Sequence, residues 1–164
     1  MKQSIYIETT IPSYLAARTS NNIIIAGKQA TTHEFFETEA QKYDLFISDY
    51  VLDECEKGDP IVSKKRIDFV KGISLLEITP EIEPLADEYM RILSIPNKNR
   101  MDALHLAMCC VYGIDILLSW NCAHLGVESM TKVLKYNTPK GLHTPQMVTP
   151  DNLVTKYMEV DLDV

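Results

Sequence analysis

Residues 99–121, NRMDALHLAMCCVYGIDILLSWN, decide how this chain folds. Over residues 101–112, ten of the twelve side chains are apolar, and the two exceptions are Asp102 and His105. A helix that apolar on every side belongs inside a protein. Gly113 stands where a helix C-terminus favours a left-handed residue. Residues 114–120 follow as a short apolar run, the pattern of a strand covered on both faces. One polar residue, Asp102, opens the helix and another, Asn121, closes the strand. In open α/β sheets, ligands bind beyond the carboxyl ends of the strands. A buried carboxylate is costly unless it is paired or holds a metal. Asp102 therefore needs partners, and the other strand ends are where the topology can supply them.

Working outward, residues 4–7 (SIYI) read as a first strand with Glu8 at its end, and Thr9, Thr10, Ile11 and Pro12 turn the chain into a helix. Residues 23–43 are expected to form one long helix, amphipathic where Phe35, Phe36, Ala40 and Tyr43 recur at three- and four-residue spacing. A second strand at 45–47 leads into a helix capped by Ser48 or Asp49, carrying Val51, Leu52, Cys55 and Glu54. Gly58-Asp59-Pro60 breaks it. A helical segment at 61–71 follows, whose SKKR run (residues 63–66) reads as a solvated face. A third strand is expected at 73–78, and a helix from Thr79-Pro80 to about Leu93. Beyond Asn121 the pattern predicts a helix at 126–136, a loop at 137–145, a short fifth strand at Met147 and Val148, and a last helix opening at Pro150-Asp151. Strands and helices alternate, which predicts a mostly parallel sheet of four or five strands with helices on both faces, in one domain spanning residues 1–164.

The chain has 164 residues, 46% of them hydrophobic, and a formal net charge of −7. That balance fits a globular protein with a sizeable core and disfavours simple charge-driven binding to nucleic acid. No apolar run approaches the ~20 residues of a membrane helix, and the N-terminus lacks the pattern of a signal peptide. The expected location is the cytoplasm, without a membrane partner. Cys55, Cys109, Cys110 and Cys122 show no CxxC spacing and read as reduced, structural thiols. Cys122, His124 and His143 match no zinc pattern. Neither GxGxxG nor a P-loop is present, which disfavours nucleotide-binding folds, and a phosphatase would want an Asp where Glu8-Thr9-Thr10 stands.

Three acids remain at equivalent places: Glu8 after the first strand, Glu54 in the helix after the second, and Asp102 opening the helix before the fourth, with Asn121 at that strand's end. Converging carboxylates repel one another, and a hard divalent cation relieves the repulsion. The stretches IYIETTIPSYL (5–15), LFISDYVLDE (45–54), DALHLA (102–107), ILLSWNCAHL (116–125) and MVTPDNLV (147–154) resemble the PIN-domain family, and the likeness covers most of the chain. The resemblance implies a PIN-like three-layer α/β sandwich and a metal-dependent ribonuclease, often the toxin (VapC-like) of a type II toxin–antitoxin pair. It carries the family's first three acids onto Glu8, Glu54 and Asp102, and a fourth onto Asn121. Two departures are visible: Glu8 is one methylene longer than the usual Asp, and Asn121 supplies no charge.

The expected function is therefore an endoribonuclease using Mg2+ or Mn2+, held by Glu8, Glu54, Asp102 and Asn121, with a small antitoxin as partner and a homodimer as the expected assembly. Thr9, Arg18, Lys98 and Arg100 are candidates for substrate contacts at the rim. His105, one turn after Asp102, reads as a structural hydrogen-bonding residue that could orient Asp102. The alternative is a PIN-fold protein impaired in catalysis that acts by binding RNA or a protein.

Overall fold

Strand β1 (Ser4–Ile7) has both hydrogen-bonding edges occupied and both faces covered. It pairs in parallel with β2 (Asp44–Ser48) on one side and β4 (Ile116–Leu118) on the other, with Ile5 opposite both Leu45 and Ile116. Strands β3 (Ser74–Leu76) and β5 (Gln146–Val148) extend the sheet to five parallel strands in the order β3-β2-β1-β4-β5. Ile5, Tyr6 and Ile7 are all fully buried, as are Leu117 and Leu118. Successive strand residues face opposite sides, so burial of consecutive residues requires helices on both faces. This is a computed structural model, and it describes residues 1–154.

The helices are α1 (Thr10–Ala16), α2 (Ile23–Glu34), α3 (Asp49–Cys55), α4 (Pro60–Val70), α5 (Ile82–Leu93), α6 (Arg100–Tyr112) and α7 (Val127–Asn137). Helix α1 packs on α2 and α4, and α5 packs on α6 and α7. Every residue of α6 from Ala103 to Cys110 is buried, as its composition requires. Gly113 ends it with φ +66°, and the Ile114 N–H closes the cap on the Cys109 carbonyl at 2.9 Å. That bond explains why β4 begins later than the apolar run. Trp120 leaves the strand because its N–H goes to Thr10 Oγ1 at 2.9 Å. The chain order places β1 and β4 side by side where the winding changes direction, so their carboxyl ends form the switch-point crevice.

Several local expectations need correction. The helix expected over 23–43 stops at Glu34, continues as a π-helical turn (Phe35–Glu39) and ends in a 3-10 turn (Ala40–Lys42). Thr31, Thr32 and Thr38 turn their hydroxyls onto the carbonyls four residues back, a competition that bends helices. The expected third strand shrinks to Ser74–Leu76. Arg66 is not simply solvated: its guanidinium donates to the Cys55 carbonyl at 3.1 Å and to that of Lys57, closing the end of α3. The helix expected from Pro150 appears as one 3-10 turn, Pro150–Asn152, and its remainder lies outside the described residues. All four cysteines are free, and burial pushes the Cys55 and Cys110 thiols up to about 11. No helix among the described residues is long and apolar enough to cross a membrane.

Leu117 is 0% exposed at the centre of this packing and Val127 is 88% exposed at the start of α7. Leu117→Ala is expected to lower the unfolding free energy by about 2–5 kcal/mol, and Val127→Ala to change it by less than about 0.5 kcal/mol. Urea titration of the two variants checks this, and equal losses would contradict the burial assigned to β4.

Candidate functional site

Glu8 is the first residue beyond β1, and its N–H still reaches the Leu118 carbonyl of β4 at 3.1 Å. Its side chain is thereby delivered into the switch-point crevice, where the residue is 8% exposed. Carboxylate oxygen Oε2 accepts three bonds: from the Thr10 N–H (3.0 Å), the Thr10 hydroxyl (2.5 Å) and the Ser119 hydroxyl (2.7 Å). Oε1 has no such partner among the described residues. The longer side chain of Glu8 is thus tied down by the turn that follows it and by the end of β4.

Glu54 arrives from α3 and is held in the same one-sided way. Its Oε1 accepts the Thr9 hydroxyl at 2.5 Å and lies 2.7 Å from His105 Nε2, while Oε2 is free of protein donors among the described residues. His105 is 1% exposed, and its Nδ1 lies 2.8 Å from the Tyr6 hydroxyl, which lies 2.6 Å from Ser48 Oγ. An ionised Glu54 only accepts, so Nε2 carries the proton it receives. Burial pushes the Glu54 carboxyl upward, but the His105 bond and charge, the Thr9 bond and Lys57 outweigh it, and the net displacement is downward. Burial holds the Tyr6 phenol well above its ordinary range, so it remains a neutral link.

Two cap expectations and one orientation expectation change here. Thr9 and Ser48 precede α1 and α3 but make no side-chain cap bond; their hydroxyls serve Glu54 and Tyr6. His105 orients Glu54 and not Asp102. The partners of Asp102 are Asn121, whose Nδ2 donates to Oδ1 at 3.0 Å, and His124, whose Nδ1 lies 2.8 Å from Oδ2. The Asn121 N–H in turn donates to Ser119 Oγ at 2.9 Å, so the loop after β4 touches Glu8 through Ser119 and Asp102 through two side chains. Sequence reasoning missed Thr10, Ser119 and the His124–Asp102 pair. The adjacent Thr9-Thr10 pair at a strand end and the histidine following Asn121-Cys122 were the available signals.

A cleft of about 810 Å³ opens over these groups, and Glu8, Thr9, Glu54, Asp102 and Asn121 all line it. Arg18 and Lys98 stand in its wall, joined by Lys57, which the sequence did not single out. Arg100 is not in that wall; it pairs with Asp87 of α5. Among the described residues, ligand atoms of Glu8, Glu54 and His105 lie within 4.8 Å of one another. Cys122, His124 and His143 form no such group among them. The donor set suits a hard divalent cation: among the described residues Glu8 and Glu54 each keep one oxygen fixed by protein donors and one with no protein partner. Asp102 lines the same cleft but lies outside the Glu8, Glu54 and His105 group, and both of its oxygens have partners.

No family model and no curated protein matches the sequence. Solved structures that share the fold include the following two. One is VapC20 of Mycobacterium tuberculosis, a sarcin–ricin loop cleaving toxin, at 13% identity and TM-score 0.57, over 73% of this chain and 92% of that one. The other is VapBC2 of Rickettsia felis, bound to a DNA fragment from its promoter, also at 13% identity and TM-score 0.57, over 90% of this chain and 98% of that one. The fold class defined by sheet order and switch-point site is therefore PIN-like. Within that class the chain is built as the VapC toxins are.

The lowered Glu54 pKa carries a pH signature. In the folded protein Glu54 binds fewer protons than in the unfolded chain across the carboxylate range, so its contribution is present above the unfolded pKa and lost as pH falls through the folded one. Chemical denaturation of the wild type and Glu54→Gln across that range should show the stability gap narrowing on acidification. A gap constant with pH would contradict the His105 and Thr9 bonds.

Proposed function

We propose that this protein is a divalent-metal-dependent endoribonuclease, the toxin of a type II toxin–antitoxin pair. The observation that carries the reading is the switch-point cleft, where Glu8 and Glu54 each present one carboxylate oxygen without a donor among the described residues. The PIN-like fold shared with the VapC20 and VapBC2 structures, the first of them named as a sarcin–ricin loop cleaving toxin, supports it.

Glu8, Glu54 and Asp102, with Asn121 as a neutral fourth group, would hold Mg2+ or Mn2+. Such an ion lowers the pKa of a bound water and offsets charge developing on a phosphate. The chain's own contributions are separate. Thr10 and Ser119 fix Glu8, and Thr9 and His105 fix Glu54, so neither carboxylate has to reorganise when it takes up charge. Arg18, Lys57 and Lys98 in the cleft wall would meet phosphates and set the register of the strand. They also reconcile a net charge of −7 with an RNA substrate, because the cations are local to the cleft.

A partner is proposed on a second observation. Ile23 and Ile24 are 86% and 68% exposed at the start of α2, and the neighbouring Ile25 lines the cleft. Contiguous exposed apolar residues mark interaction sites, and this one adjoins the acidic residues that an inhibitor would block. A small antitoxin is the occupant proposed, in a cytoplasmic, homodimeric assembly.

Calorimetric titration of Mn2+ or Mg2+ into wild type and Asp102→Asn, beside an RNA cleavage assay, tests the reading. Saturable binding and cleavage are expected in the wild type, and both should be lost together in Asp102→Asn; cleavage that survives the substitution intact would sink the proposal. Lys57→Ala combined with Lys98→Ala is expected to weaken RNA binding and flatten its dependence on salt, read by fluorescence anisotropy at several salt concentrations.

A further inference from the structure

The loop leaving β4 is anchored to the candidate site at three points. The Trp120 N–H is held by Thr10, the Asn121 N–H by Ser119, and the side chains of Asn121 and His124 meet the two oxygens of Asp102. Thr10 and Ser119 are the residues that grip Glu8. Asp102, on the first turn of a different element, is therefore referenced to Glu8 through this loop. Its side chain is 12% exposed, and that of His124 is 27% exposed, so the pair is not in the core; Asp102 lines the cleft and His124 does not.

We propose that His124 is a positioning residue that acts through Asp102, with Asn121 as its counterpart. The inference rests on the metal-dependent reading above. A carboxylate on a short side chain has several staggered orientations, and one hydrogen bond leaves it free to pivot. Two donors, one on each oxygen, select one orientation and leave each oxygen a further lone pair for an ion. The same tether answers the missing fourth acid. Asn121 brings no charge, and its amide is oriented by Asp102: with Nδ2 turned to Oδ1, its own carbonyl oxygen is left for the cleft that Asn121 lines. Charge at this end of the site is thereby confined to one carboxylate held in register, where a fourth acid would add a second to be neutralised.

Mn2+ titration by calorimetry, with the paramagnetic resonance spectrum of the bound ion, separates this role from a structural one. His124→Ala is expected to weaken Mn2+ binding about 10-fold or more while the metal-free protein melts at the wild-type temperature. His124→Asn is expected to restore most of the affinity and the wild-type spectrum, because its amide nitrogen, like Nδ1, is attached at the γ position. Equal affinity in wild type and His124→Ala would overturn the tether and leave the nuclease reading standing. Equal weakness of the Ala and Asn variants, at unchanged melting temperature, would overturn it in favour of the imidazole as a ligand. Absence of saturable binding in the wild type would overturn both readings.

Discussion

Two carboxylates held beside each other, Glu8 buried and Glu54 half-buried, set the constraint that the rest of this molecule answers. Glu8 and Glu54 are brought together because β1 and β2 are parallel neighbours and the chain turns into a helix after each. Left alone in a low-dielectric crevice, they would repel and take up protons. Among the described residues each receives its donors on one oxygen: Thr10 and Ser119 for Glu8, Thr9 and His105 for Glu54. The downward displacement of Glu54 shows that donors and the nearby His105 charge outweigh its desolvation. The arrangement fixes the acids without saturating them, and that difference separates a site from a mere buried ion pair.

The support for Glu54 runs deep into the core. His105 lies on the same buried helix as Asp102, one turn on, and reaches Tyr6 in the middle of β1, which reaches Ser48 at the end of β2. Tyr6 and Tyr89 are fully buried polar rings, and only Tyr6 is spent on the site; Tyr89 is bound to Asn137 of α7. The buried polar atoms of this path are satisfied by one another, which rigidifies them. Site geometry and core packing are therefore one problem in this fold: α6 supplies apolar bulk over Ala103–Cys110 and also carries His105, which holds Glu54, and Asp102, which His124 meets.

Much of the fold was legible because burial writes itself into the sequence. SIYI stands between polar flanks, and the 101–112 run ends at a glycine that takes the left-handed conformation. Glu8 and Asn121 were legible as strand ends and Asp102 as a helix start, and together with Glu54 of α3 they line one cleft, although only Glu8 and Glu54 fall in one close group, with His105. What was not legible depended on tertiary competition for groups with an ordinary local use. Thr9 and Ser48 look like helix caps, yet their hydroxyls are claimed by groups 45 and 42 residues away along the chain. His105 was assigned a structural bond, but its partner could not be read from spacing, since Glu54 sits 51 residues upstream. The π-helical turn after α2 depends on threonine back-bonding that an apolar period does not encode.

The same logic explains how the chain accommodates Glu8 and Asn121, the two departures from the resembled pattern. A longer acid at position 8 would swing freely if only its ion held it; here the Thr10 N–H, the Thr10 hydroxyl and the Ser119 hydroxyl all close on one oxygen, so the added methylene is absorbed by the turn. An amide at position 121 would leave a gap in the charge pattern; here it becomes a donor to Asp102, and His124 supplies the second. Thr10, Ser119 and Asn121 lie within three residues of the sheet's carboxyl edge, and His124 reaches back from the loop beyond it. The parallel sheet therefore keeps the crevice in place while the residues around each carboxylate answer it differently: Glu8 and Glu54 have one oxygen held, and Asp102 has both.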